Sequence, residues 1–435
     1  MKENILIIAH HFPPYSQSYG QIASVSSLVN TLSNSYNVKI VCASGKIEFG
    51  YFGIKTPDNV SINYIYDKNA YRKYLQYSPQ GSVYNRLKEI YLRFGLLKTI
   101  GRIIHTIKLR ILIDKSELTF LPGALKKSVD IINKFHVKKV IISVPPYPKT
   151  KLVYKLKNKF PRLKILLIFR DSWTLHSMTN NRDIASLRKR KVEKKAIENA
   201  DLLCFVTPSM KKKYDEYYRI NRKSILITNG FDSPVMPKHF LTMNNSQLPL
   251  RIGYFGKAHI GNGTYFRDIY KFFSFLKENR DNFYQKIKFD YYGYFSGEYQ
   301  KWQDSINFDF KGQIGYNEVT KKMVEYDCLM LYHSTTENAE EVYTGKLFEY
   351  INAMRPIIVL GPQEMKDAKT IIKDYKIGIY IDIDSPQEMY SKLEHLISLK
   401  KKGKIQSLFN ESIDVRKFSR NSKNMEYLRV INDLN

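Results

Sequence analysis

Two glutamates, Glu341 and Glu349, stand with seven residues between them at a place where both can serve one ligand. Upstream, the apolar run from Tyr326 to Tyr332 reads as a buried parallel strand. A polar loop, 333–340, leads into a helix whose inward stripe is Leu347, Tyr350/Ile351 and Met354. Arg355-Pro356 ends that helix, and Ile357–Leu360 begins the next strand. The two carboxylates therefore bracket a helix start. Thr344 is placed to cap it, and Gly345 lets a ligand approach the backbone. Free amides at such a start hold a diphosphate without help from a metal. Glu341, in the loop, reaches one end of that ligand. Glu349, one turn into the helix, reaches the other.

Other chemistry-bearing residues also fall at strand ends. Arg170 and Asp171 follow the run Lys164–Phe169, and His10 and His11 follow Ile5–Ala9. His333 follows the strand that feeds the Glu341 loop. Three scattered histidines do not make metal-ligand spacing, and no metal is expected. Neither a Ser/His/Asp triad nor the paired carboxylates of a hydrolase is present. Cys42, Cys204 and Cys328 lie far apart in or beside apolar runs, so they read as buried thiols of a reducing compartment.

These residues need a scaffold, and the chain supplies strands and helices in alternation, which argues for an α/β protein with parallel sheets. At 435 residues it exceeds one compact core. A first alternating unit covers 1–232 and ends in the turn Asn229-Gly230-Phe231-Asp232. Residues 233–249 are aperiodic and read as a linker. A second unit covers 250–415, and 416–435 form a C-terminal helix with no strand after it. Doubly wound sheets bind ligands at the carboxyl ends of their strands, where every loop named above lies.

Residues 82–136 interrupt the rhythm with a long helical pattern. Leu96/Leu97, Ile100, Ile103/Ile104, Ile107 and Ile111 share one face, while Arg93, Lys98, Arg102, Lys108 and Arg110 lie mostly off it. Such a basic amphipathic helix suits a membrane interface, and equally an ordinary packing face. The formal charge of +29 is spread along the chain and fits either a lysine-rich composition or a polyanionic neighbour such as an anionic membrane. Nucleic acid is not expected, because no aromatic-basic or recognition-helix pattern accompanies the charge. Ile5–Ala9 is too short for a signal peptide, and no window approaches the ~20 apolar residues of a membrane span. A cytoplasmic protein, peripheral on the inner face of the cell membrane, fits these features.

The motif order resembles the retaining GT-B glycosyltransferases of the family-4 type, which use nucleotide-sugars in bacterial surface-polysaccharide synthesis. The likeness rests on His11-Phe-Pro-Pro14 with Gly20, Ser143-Val-Pro-Pro146, Phe169-Arg-Asp-Ser-Trp173, Thr228-Asn-Gly-Phe-Asp232, Tyr254-Phe-Gly256 and the Glu341 to Glu349 stretch. It implies two Rossmann-like domains facing each other across a cleft, the first for the acceptor and the second for the donor, and leaves the C-terminal helix free to cross back to the first. It further implies that Glu349 holds the ribose and Glu341 the transferred sugar, with Thr344, Gly345 and Lys346 along the diphosphate and Leu347 in the donor site. Gly256 and Gly20 would admit phosphates, and His333 would touch the donor. The family's Arg and Lys on the diphosphate are replaced: Lys257 stands for the first, and Arg267 is the candidate for the second. Asp171 would face the reacting centre, with Arg170 and His11 toward the acceptor. The mechanism so implied is front-face attack by the acceptor hydroxyl, without metal or other cofactor, on a saccharide or lipid-linked saccharide. A sugar-nucleotide epimerase of the same shape and a polyanion-binding α/β protein remain the alternatives.

Overall fold

The computed structural model describes residues 2–16, 19–45, 48, 55–67, 116–175, 184–237, 246–256, 258–259, 273–278, 281–293, 295–296, 308–333 and 339–434. The candidates Lys257 and Arg267 and the amphipathic stretch up to residue 115 lie outside them. By contacts the chain divides into two units, 1–228 with 424–435, and 229–423.

The first unit holds a seven-stranded sheet, every pairing of which is parallel. Its strands are β1 (Glu3–Ile8), β2 (Tyr36–Ser44), β3 (Ser61–Tyr66), β4 (Lys139–Val144), β5 (Lys164–Phe169), β6 (Leu202–Phe205) and β7 (Ser224–Leu226), in the order β3-β2-β1-β4-β5-β6-β7. Ile5, Leu6, Ile7 and Ile8 are all buried, as a central strand with both faces covered requires. Helices α1 (Tyr19–Ser33), α2 (Leu121–Phe135), α3 (Thr150–Lys159), α4 (Ile184–Asn199) and α5 (Pro208–Tyr218) belong to this unit. Tyr427 and Ile431, from the last helix (Arg420–Asn432), join the core beside Ile5 and Ile7. The Tyr36 hydroxyl and the Lys139 ammonium also bond to Asn432 and Ile431.

The second unit repeats the plan with β8 (Leu250–Phe255), β9 (Ile287–Tyr292), β10 (Phe308–Phe310), β11 (Cys328–Tyr332), β12 (Ile357–Gly361) and β13 (Gly378–Asp382), parallel and in the order β10-β9-β8-β11-β12-β13. In both sheets the order reverses beside the unit's first strand, between β1 and β4 and between β8 and β11. That reversal opens a crevice at the strand ends, because the connections on either side depart in opposite directions. The three cysteines are buried free thiols, one in each of β2, β6 and β11.

Candidate active site

In the second unit the crevice lies where β8 gives way to Gly256 and β11 to His333. The two strands pair through Cys328 with Ile252 and Leu329 with Gly253. The His333 amide still belongs to the sheet, donating to the Leu360 carbonyl at 3.0 Å. The chain re-enters as a short turn, Ala339–Glu341, anchored by buried Ala339. Helix α6 (Gly345–Asn352) then begins. Leu347, Phe348, Tyr350 and Ile351 are fully buried beneath it, each stabilising the seat by about 1.5–3 kcal/mol. The Tyr350 hydroxyl accepts from the Phe255 amide at 3.1 Å, which ties the helix to β8.

Thr344 occupies the N-cap position with extended backbone, but its side chain makes no capping bond. The expectation that its hydroxyl closes the helix start is therefore corrected. The amides of Gly345 and Lys346 open the first turn, where a helix offers no internal acceptor. A side chain at Gly345 would meet nothing within 4 Å among the described residues. Among the described residues, the positive end of the helix is thus uncovered at Gly345. Leu347 contributes differently, since its side chain is core and its amide is bonded to the Thr344 carbonyl at 3.1 Å. It seats the helix.

Lys346 leaves the helix start and crosses to the end of β8, where its Nζ donates to the Tyr254 hydroxyl at 2.5 Å. Glu341 is half-buried at the end of its turn. Glu349 accepts from the Asp232 amide at 3.0 Å and from the Ser233 hydroxyl at 2.5 Å. One turn on, buried Asn352 holds the same segment through Ser233, the Pro234 carbonyl and the Met236 amide. Asp232 in turn receives the Arg420 guanidinium in a two-point bond, and a side chain at Gly230 would strike the backbone at Phe418 and Arg420.

In the first unit the candidates gather at the ends of β1, β4 and β5. His11 Nδ1 lies 2.8 Å from the Ser16 hydroxyl. Gly20, early in α1, is exposed, and a side chain there would meet nothing within 4 Å among the described residues. Arg170 Nε donates to the Ser143 hydroxyl at 3.1 Å, while Asp171 is exposed and its carbonyl accepts from Tyr147. Trp173 is buried and stacks on Tyr147 at 4.9 Å, which makes it packing.

Three groups escaped sequence reasoning. Buried Asp67 lies 3.4 Å from His10 and accepts from Thr119; an acid directly after a strand, at the carboxyl edge, was its only signal. Lys149, 2% exposed, donates to the Pro145 carbonyl at 3.2 Å. Burial, and then the Arg170 charge, hold its pKa well below the ordinary lysine value. Glu193, fully buried in a helix that reads as merely charged, accepts from the Thr174 amide and hydroxyl, Tyr214 and Tyr218. It thereby anchors the loop carrying Arg170 and Asp171. Among the described residues no three His, Cys, Asp or Glu side chains gather into a metal site.

Whole-chain comparison with solved structures matches a sucrose-phosphate synthase from Thermosynechococcus elongatus with a TM-score of 0.59 at 12% identity, covering 100% of this chain and 99% of that one. Anabaena HepE, solved in complex with UDP and glucose, matches with a TM-score of 0.57 at 11% identity over 99% of both chains. The lipopolysaccharide outer core galactosyltransferase WaaB matches with 0.56 at 11% over 99% of both. No protein-family model matches the chain, and no curated protein matches it in sequence. Likeness at this level of identity establishes the fold, which is GT-B.

Proposed function

We propose that this chain is a retaining glycosyltransferase that moves a sugar from a nucleotide-sugar to a hydroxyl of a saccharide acceptor. The observation that carries the reading is the start of α6, with open amides, a lysine across the crevice and an acidic residue on either side. Neighbours of the same fold are named for complexes with UDP and glucose and with UDP-2-fluoro glucose, which supports a sugar nucleotide here. In this reading the amides of Gly345 and Lys346 hold the diphosphate, joined by Lys257 and Arg267 with Gly256 and Gly20 admitting its oxygens. Glu349 holds the ribose, Glu341 the transferred sugar, and His333 lies beside the donor. Asp171, Arg170 and His11 face the acceptor.

Charge grows on the departing phosphate oxygen as the glycosidic bond breaks, so fixed donors there favour the transition state over the ground state. The acceptor hydroxyl attacks the anomeric carbon from the face the phosphate leaves, and the departing oxygen takes its proton. Catalysis then rests on positioning. A thermal-shift panel of sugar nucleotides, followed by NMR of the product formed with acceptor, tests the proposal. The expected product keeps the donor's anomeric configuration, and turnover survives EDTA. Inversion or a requirement for metal would overturn the corresponding part, and interconversion of the sugar nucleotide without acceptor would indicate an epimerase.

A lipid-linked acceptor in surface-polysaccharide synthesis, met at the inner face of the membrane, is part of the same proposal. The charge of +29 and the amphipathic pattern of Leu96–Ile113 support it. So does a surface groove in the first unit, with Leu121, Leu125 and Val129 in its lining and Lys126, Lys151 and Lys155 along it. No helix among the described residues is long and apolar enough to cross a membrane. The protein is expected to sediment with phosphatidylglycerol vesicles at low salt and to be released as salt rises, since screening shortens the reach of surface charge. Failure to sediment at low salt would remove the membrane from the proposal.

A further inference from the structure

The ammonium of Lys346 is held where a cation is least at ease. It belongs to the second residue of α6, at the positive end of the helix dipole. Its partner is a phenol: Nζ donates to the Tyr254 hydroxyl and lies 4.5 Å from the centre of the same ring. Among the described residues no carboxylate pairs with it. A lysine has three N–H donors, and one is used.

The lysine is also aimed. Tyr254, only 2% exposed, has its ring between those of Tyr291 in β9 at 5.2 Å and Tyr332 in β11 at 5.0 Å. Its ring is thereby fixed, and its hydroxyl stands at the strand end. The Tyr291 hydroxyl donates to the Gly256 carbonyl at 2.8 Å, which fixes the backbone just beyond. Gly256 has φ +154°, and a side chain there would lie 2.5 Å from Lys346 Cε. The lysine stem fills the space that any other residue would occupy. Gly293 backs onto it closely, since a side chain there would lie 1.8 Å from the Gly256 oxygen.

We propose that Tyr254 is a positioning residue that presets Lys346 over Gly256 to receive the donor's diphosphate. The inference rests on the donor site proposed above and goes further by naming the cation and the group that aims it. A free lysine surrenders rotamer freedom when it is fixed on a ligand. Here the tyrosine array holds the side chain in place before the ligand arrives, so less of that cost falls on binding. The β8 edge and the helix start then grip one anion from two sides of the sheet's crevice.

Calorimetry on the full chain with UDP and uridine tests this, with GDP/guanosine and ADP/adenosine as further pairs. In the unaltered protein a diphosphate should bind more tightly than its nucleoside. Lys346→Gln should cut that preference about 10- to 100-fold, the effect of losing a charge-assisted bond, while nucleoside affinity stays unchanged. Tyr254→Phe keeps the stacked ring and removes the hydroxyl. It should cut the preference by a smaller factor, about 3- to 10-fold, with melting temperature and nucleoside affinity unchanged. A preference that survives Lys346→Gln overturns the inference while leaving the donor site standing. A preference lost in Lys346→Gln but intact in Tyr254→Phe overturns the positioning role. If no diphosphate binds the unaltered protein, the donor-site reading falls, and this inference with it.

Discussion

Glu349→Ala is expected to weaken UDP and uridine binding by the same factor, about 10- to 100-fold, as suits hydrogen bonds to a charged group. Equal loss is the signature of a ribose contact and is opposite to the pattern expected for Lys346, which separates the two halves of the donor. The carboxylate already serves Asp232 and Ser233, so it is held in place, and a ribose must share or displace those donors. Ser233→Ala removes one donor from the carboxylate and, with it, the hydroxyl that accepts from the Asn352 amide. It should bind the nucleoside as well as the unaltered protein or better. If Glu349→Ala leaves uridine affinity intact, the glutamate is a clasp for residues 232–233 only. The structural cost would then appear as a lower melting temperature without a binding change.

Glu193→Ala should have the largest effect on stability. It leaves the Thr174 amide and the hydroxyls of Thr174, Tyr214 and Tyr218 without their acceptor in a buried place, at a cost of about 3 kcal/mol. For a unit of this size that corresponds to a fall of roughly 6–12 °C in melting temperature. Burial pushes the Glu193 carboxyl above the usual glutamate range, and the four hydrogen bonds oppose that push. Between its unfolded and folded pKa the folded chain binds more protons. Its contribution is therefore complete below the ordinary glutamate pKa and is lost as pH rises through the raised one. Glu193→Gln cannot titrate, so the melting-temperature advantage of the unaltered protein over it should narrow from pH 4.5 upward. A constant difference would mean that the carboxyl has no raised pKa. Because Thr174 closes the loop begun by Arg170 and Asp171, acceptor KM should rise in Glu193→Ala more than donor KM.

Much of the architecture could be read from residue order. Short apolar runs such as Ile5–Ala9 and Tyr326–Tyr332 are long enough for strands and too short for buried helices, and they became central strands of two parallel sheets. The stripe Leu347, Tyr350, Ile351 and Met354 is buried as its spacing requires. Residues 233–249 read as an aperiodic linker, and by contacts the second unit begins at Asn229. There the early part of that stretch is bonded to α6 through Asn352, a single buried amide that no local pattern distinguishes from a solvated one.

The helix start and its flanking acids belong to the sequence itself, because local spacing decides which residues share a turn and where a strand must stop. Which distant groups meet there was left to the tertiary structure. Lys346 and Tyr254 are 92 residues apart, and Glu349 and Asp232 are 117 apart. Periodicity tells which face of an element is covered, but strand order and register decide what covers it. Thr344, well placed to cap and yet making no side-chain capping bond, marks the same boundary: a residue type permits a hydrogen bond, and only the surrounding fold settles whether that bond forms.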